Sequence, residues 1–162
     1  MIQKSNAINA SAAHTSFVIE RNFSVSPQAV FLAWTDPEAK RSWSDCHAEH
    51  TTHYSLDFVV YGRESHRVVY PDGKMQHIEK VFFDIVPAQR IVFSYDISVD
   101  GKRLSASLVT VDLIATGKGT HMVYTEQLVY LDGHEDRELR MRGTEEGLDR
   151  LGQALRETGP VQ

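Results

Sequence analysis

Six β-rich runs follow one another between residues 53 and 130, and only after them does the chain offer a long stretch of helical periodicity. The runs cover 53–60, 63–70, 75–85, 90–99, 103–115 and 120–130. The breaks between them include Pro71-Asp72-Gly73, Val86-Pro87, Asp100-Gly101 and Gly117-Lys118-Gly119, residue types that set tight turns. Strands joined in sequence by short turns form an antiparallel meander, because a parallel pair needs a crossover of a dozen residues or more.

Ahead of the meander, Phe17, Ile19 and Arg21 alternate with Val18, Glu20 and Asn22, which predicts a first strand over 17–23. Ser26-Pro27 and Asp36-Pro37 each pair a capping side chain with a proline suited to a first helical turn, so two short helices are expected after that strand. Behind the meander, Asp132-Gly133 is a stop and the charged segment 135–142 leads to Gly143-Thr144, the expected helix cap. Leu148, Leu151 and Leu155 then form one apolar stripe that ends before Gly159-Pro160.

The elements make an α+β chain with a seven-stranded curved antiparallel sheet wrapped around a long C-terminal helix, the helix-grip fold. One domain is expected over 17–158 behind a flexible tail over 1–16. A sheet of that width has an apolar face that one helix only partly covers, and a pocket between sheet and helix is the expected consequence.

Composition narrows the function classes. Seventeen Lys and Arg against 22 Asp and Glu give a formal charge of −5, without a basic stripe, which argues against nucleic acid and anionic membranes as partners. The chain carries a single cysteine, Cys46, and no apolar run long enough to cross a bilayer, so a cytoplasmic protein is expected.

The residues also resemble a family. Phe17-Val18-Ile19-Glu20-Arg21, Trp34-Thr35-Asp36-Pro37 after Val30-Phe31, Leu56-Asp57-Phe58 before Gly62-Arg63-Glu64, and Asp84-Ile85-Val86-Pro87 before Arg90-Ile91-Val92 carry the resemblance. Tyr95-Asp96, Asp100-Gly101, Thr125-Glu126-Gln127, Leu131-Asp132-Gly133 and Gly143-Thr144 with Leu148-Asp149 extend it. Together they resemble the START/Bet v-like (SRPBCC) superfamily, in the branch named after the C-terminal domain of the activator of the heat-shock protein 90 ATPase. The resemblance implies the helix-grip fold and leaves lipid carriers, cyclases and co-chaperones all open as functions. Two departures stand out: Tyr61-Gly62 replaces a Gly-Gly pair of many relatives, and Gly143-Thr144 replaces Gly-Trp.

Alternation assigns facing. Met122, Tyr124 and Glu126 share one side of their strand and are expected to face the helix, as are Val109, Val111 and Leu113, and Ile91, Phe93 and Tyr95. With Trp43, Phe58, Leu148 and Leu151, a ligand-binding set is expected from Phe93, Tyr95, Val111, Met122, Tyr124 and Glu126. Glu126, Tyr95 and His77 are the candidate acid and base groups; His77 and Glu79 on one strand, and Glu64 and His66 on another, suggest a cross-strand His and Glu cluster. Against these stand ordinary roles: an acid paired at the sheet rim, a buried tyrosine satisfied by a neighbour, surface polar groups.

Cys46, His47, Glu49, His50 and His53 crowd a short stretch beside Asp45, but their spacing fits no zinc signature, so no metal and no cofactor is expected. Trp34 and Trp43 read as anchors of the short helices. Without a complete catalytic motif, the leading expectation is a binding protein for a small apolar or aromatic ligand. A polyketide cyclase-like or hydrolase-like enzyme and a chaperone partner are the alternatives, and the two-sided apolar run Val81-Phe82-Phe83-Asp84-Ile85 leaves a homodimer contact open.

Overall fold

The computed structural model describes residues 9–157. In chain order the elements are β1 (Ala12–Phe23), α1 (Pro27–Thr35), α2 (Pro37–Ser44), β2 (Thr51–Leu56), β3 (Arg63–Val69), β4 (Met75–Val86), β5 (Arg90–Val99), β6 (Lys102–Thr116), β7 (Gly119–Leu131) and α3 (Arg137–Glu157). All seven strands form one antiparallel sheet in the order β1-β7-β6-β5-β4-β3-β2. β1 and β2 are therefore the two edges, and α1 and α2 carry the chain from one edge to the other. α3 packs against both of these helices and β1, completing the helix-grip fold.

Local chemistry explains the breaks. Ser26 and Asp36 cap α1 and α2 by accepting hydrogen bonds from the N–H groups of Ala29 and Ala39. Asp100 and Gly101 both have positive φ, 51° and 80°, the conformation that a two-residue hairpin turn requires. Bulges at Phe83 in β4 and near Leu104 in β6 break the pairing register and add local bend and twist to those strands.

Several boundaries differ from the sequence expectation. β1 begins at Ala12 instead of Phe17, because residues 12–16 pair with β7 from Leu131 to Gln127; only residues 9–11 of the expected tail are described outside the strand. β2 ends at Leu56 instead of residue 60, since the chain turns at Phe58–Gly62 to enter β3. α3 begins at Arg137, well before the expected cap at Gly143-Thr144. The Thr144 hydroxyl donates to the carbonyl of Arg140 inside the helix, so its side chain satisfies a turn already formed. The expected stop at Gly159-Pro160 lies outside the described residues.

The core is one cluster in which Trp34, Phe82, Phe93, Val109, Met122 and Leu151 are among the buried members. Trp43 packs edge-on to Trp34 at 4.8 Å between ring centres and donates its indole N–H to Ala33, locking α2 against α1. In the apolar run of β4, Phe82 is fully buried and Phe83 is 46% exposed on the outer face. No helix among the described residues is long and apolar enough to cross a membrane.

The Tyr61-Gly62 pair has a physical consequence. Tyr61 adopts φ +66° with its ring 75% exposed, so it bears left-handed strain without packing in return. A side chain at Gly62 would collide with the backbone carbonyl of Asp57. Tyr61→Gly should therefore leave stability unchanged or raise it by up to about 1 kcal/mol, whereas Gly62→Ala should lower it by about 2 kcal/mol or more. Urea unfolding of the two variants distinguishes these outcomes, and a benign Gly62→Ala would contradict the close approach.

Candidate functional site on the concave face

Register across the sheet lines up inward-facing residues in rows. One row reads Glu64, Lys80, Tyr95 and Ser107, each paired with the next on the neighbouring strand. The row beside it reads Tyr54, His66, Ile78, Ile97, Ser105 and Tyr130. A third reads Phe82, Phe93, Val109, Glu126 and Phe17, mostly core. Two polar rows thus lie next to an apolar one on the same concave side.

Glu64 is fully buried and organises the first group. Its carboxylate accepts from Lys40 Nζ at 2.8 Å, from the Tyr54 hydroxyl at 2.7 Å, and pairs with Lys80 Nζ at 3.1 Å. Burial alone would raise the Glu64 pKa, but the attraction of Lys40 and Lys80 more than offsets it and holds the group well below the usual carboxylate range. Burial lowers Lys40 to about 8, with Glu64 opposing the effect. Lys40 also lies over the rings of Trp34 and Trp43, at 5.0 and 5.4 Å from their centres, so α2 delivers a cation wrapped in aromatic faces to the sheet.

His66 is only 4% exposed, lies tilted against the Tyr54 ring at 4.7 Å between ring centres, and has no hydrogen-bond partner at either ring nitrogen. Burial and the neighbouring Lys80 charge lower its pKa to about 4, so the ring is neutral at physiological pH. Asp45, whose charge also acts on His66, is tied to Arg41 at 3.5 Å and to the Thr51 hydroxyl at 2.9 Å.

The second group surrounds Glu126, also fully buried. Tyr95 and Ser107 hydroxyls donate to one carboxylate oxygen at 2.7 and 2.8 Å, and the Tyr124 hydroxyl donates to the other at 3.0 Å. Burial first, and then the Glu126 charge, raise the pKa of both tyrosines, keeping them as neutral donors. Arg140 reaches in from α3, 3.5 Å from Glu126, 3.2 Å from the Tyr95 hydroxyl and 2.7 Å from Ser105. Its guanidinium also lies over the Tyr95 and Tyr130 rings.

The expected ligand-lining residues divide accordingly. Trp43, Phe93, Val111, Met122, Leu148 and Leu151 are closely packed in the core cluster, and Phe58 packs edge-on to Phe82 against it. Tyr95, Tyr124 and Glu126 form the hydrogen-bonded group just described. His77 lies on the opposite, outer face with Glu79: its Nε2 is 3.2 Å from the Ser65 hydroxyl and 3.1 Å from Glu79, while Glu64 and His66 face inward. The expected joint cluster of two His and two Glu therefore does not assemble. Nor does Ser65 with His77 and Glu79 form a nucleophilic triad, since serine and acid meet the same ring nitrogen and the imidazole does not bridge them.

No group of His, Cys, Asp or Glu among the described residues is placed to hold a metal ion; His47 and His50 instead pack against Tyr70. Two open depressions lie away from the concave rows. One is on the outer face around His14, Leu108, Thr125 and Gln127, and the other is where the β1–α1 turn meets the β6–β7 turn.

Sequence reasoning missed Lys40, Tyr54, Lys80, Ser105, Ser107 and Arg140 as site residues. Parity was the available signal for the strand members: Lys80 shares a face with Phe82 and Ile78, and Ser107 with Val109 and Val111.

Comparison with known proteins follows the same fold. The family model described as "Activator of Hsp90 ATPase homolog 1-like protein" matches residues 24–158. A solved structure from Rhizobium leguminosarum is 44% identical with a TM-score of 0.87, covering 91% of this chain and 98% of its own. The Mll3558 protein from Rhizobium loti is 39% identical with a TM-score of 0.84, covering 89% and 99%. An AHSA1-like protein from Aeromonas hydrophila is 22% identical with a TM-score of 0.66, covering 90% and 94%, and shows likeness of fold. No protein with a curated description matches the chain.

Two outcomes test the charge arrangement. Glu64→Leu leaves Lys40 buried without its partner and should cost about 3–5 kcal/mol, while adding Lys40→Met should recover a large part of the loss; urea unfolding of the four-member cycle measures the coupling, and additive losses would refute it. His66 bears on acid stability. The unfolded ring takes up its proton near pH 6.5 and the folded one only near 4, so the unfolded state binds more protons in between. The stabilisation is full above about pH 6.5 and is lost as pH falls toward 4. His66→Phe should therefore lose less stability than the wild type between pH 7 and 4.5, by on the order of 2 kcal/mol in urea unfolding; parallel pH profiles would refute the buried neutral ring.

Proposed function

The chain belongs to the family of activator of Hsp90 ATPase homolog 1-like proteins, whose architecture is a ligand-binding fold, and we infer that it is a small-molecule binding protein whose ligand lies on the concave face between the sheet and α3. One observation carries this reading. The inward face bears two rows of polar groups beside an apolar core, and the side chains of Lys80 and Arg140 stay 15% and 12% exposed within it. A core serving stability alone gains little from such groups, because buried ion pairs are often neutral or unfavourable compared with well-packed apolar residues. A binding face needs the combination: apolar area for affinity and a few fixed polar groups for orientation.

The expected apolar or aromatic ligand is thereby refined to an amphipathic one. Ile78 and Ile97, only partly buried, offer it apolar area, with Lys80 and Arg140 close by. The acid and base reading of Glu126 draws less support. A proton-transfer group needs a lone pair turned to the substrate, and here both carboxylate oxygens already accept from hydroxyls. Glu126 serves better as an anchor that fixes Tyr95, Tyr124 and Arg140.

Native mass spectrometry of protein purified from its own host, compared with the denatured sample, tests the reading. A retained molecule of a few hundred daltons is expected, and its return to the stripped protein should raise the melting temperature. A host-purified protein that carries nothing, and that host small-molecule extracts do not stabilise, would overturn it.

A further inference from the structure

Charge is unevenly distributed on the concave face. Arg140 and Glu126 form a balanced pair at the α3 side, and Asp45 balances Arg41 at the rim. The group at β3 and β4 does not balance. Two lysines, Lys40 and Lys80, share the single carboxylate of Glu64, and the adjacent His66 is neutral, which leaves one positive charge in a buried setting of a chain with a net charge of −5.

The hydrogen-bond inventory leans the same way. Lys80 has three N–H donors; its Nζ stands 3.1 Å from Glu64, 5.5 Å from the Phe93 ring centre and 5.9 Å from that of Tyr95. His66, buried beside it on the neighbouring strand, has an N–H that meets no acceptor. Both tyrosine hydroxyls nearby, Tyr54 and Tyr95, are already committed to carboxylates. What this corner lacks is an acceptor, and a negatively charged one would also neutralise it.

We propose that the ligand is an amphipathic carboxylate, with its carboxylate held by the Lys80 ammonium and the His66 ring N–H and its apolar body lying along Ile78 and Ile97 toward Tyr130. The row from His66 through Ile78, Ile97 and Ser105 to Tyr130 fixes the direction, because Ile78 and Ile97 are only partly buried. From Lys80 on β4 to Tyr130 on β7 is three strand spacings, about 14 Å, so an extended ten-carbon chain spans most of the row and a fused two-ring aromatic covers the nearer part over Ile78 and Ile97. The proposal rests on the concave-face binding reading and names its ligand class.

Two matched pairs of probes test it on the full chain: decanoate against 1-decanol, and 2-naphthoate against 2-naphthalenemethanol, by calorimetric titration and melting temperature at pH 7. At least one acid should bind about tenfold or more tightly than its alcohol, as a charge-assisted contact requires. Lys80→Met should bring the acid's affinity to within about twofold of its alcohol's in the same variant, and His66→Phe, checked for folding by circular dichroism, should reduce the preference. Equal binding of acid and alcohol would overturn the carboxylate assignment and leave the binding face standing. Undiminished acid preference in Lys80→Met would overturn the assigned seat, and no binding of any probe would count against both readings.

Discussion

A seven-stranded sheet is about 29 Å across its strands, and a helix with its side chains is about 10 Å wide. The single long helix of this chain therefore cannot cover the face it packs on, and much of the rest follows from that mismatch. α1 and α2 fill one side of the gap as they carry the chain from edge to edge, and Trp34 and Trp43 supply the bulk that two short helices lack. The remaining inward positions are taken by long polar side chains that reach one another across strands. Where the helix does cover, the core is closely packed; where it does not, lysine, histidine and arginine meet carboxylates and tyrosines.

The two carboxylates divide the labour. Glu126 receives three hydroxyl hydrogen bonds and an arginine, so it ties β5, β6 and β7 to α3. Glu64 ties α2 to β3 and β4, but it faces two lysines at once and cannot balance both. Structural cohesion accounts for the first arrangement. The excess charge of the second is left over after cohesion is accounted for, and it is the feature that points beyond the fold to a ligand.

How much was legible differs from element to element. Ser26-Pro27 and Asp36-Pro37 marked both short helices because capping is local chemistry that needs no knowledge of the fold. The hairpin at Asp100-Gly101 was equally plain. The start of α3 was not: Gly143-Thr144 resembles a cap, yet the chain was already helical from Arg137, and Arg140 lies on the turns that local reasoning assigned to a charged connector. The five residues added to β1 are strand because β7 is there to pair with them.

Sequence by itself determined the order of the elements, the turns between them and the apolar parity of the central strands, since each depends on backbone preferences and on a period of two or 3.6 residues. It also placed Glu126, Tyr95 and Tyr124 on the inward side. Only the tertiary structure decided that Lys40, Glu64, His66 and Lys80 meet, and that His77 and Glu79 turn away from them. Those residues come from α2, β3 and β4, and their meeting depends on strand register and on where α2 lies across the sheet. A charged side chain on an alternating strand reads as solvent-facing until its neighbours are known, because what makes burial tolerable is a partner far away in sequence.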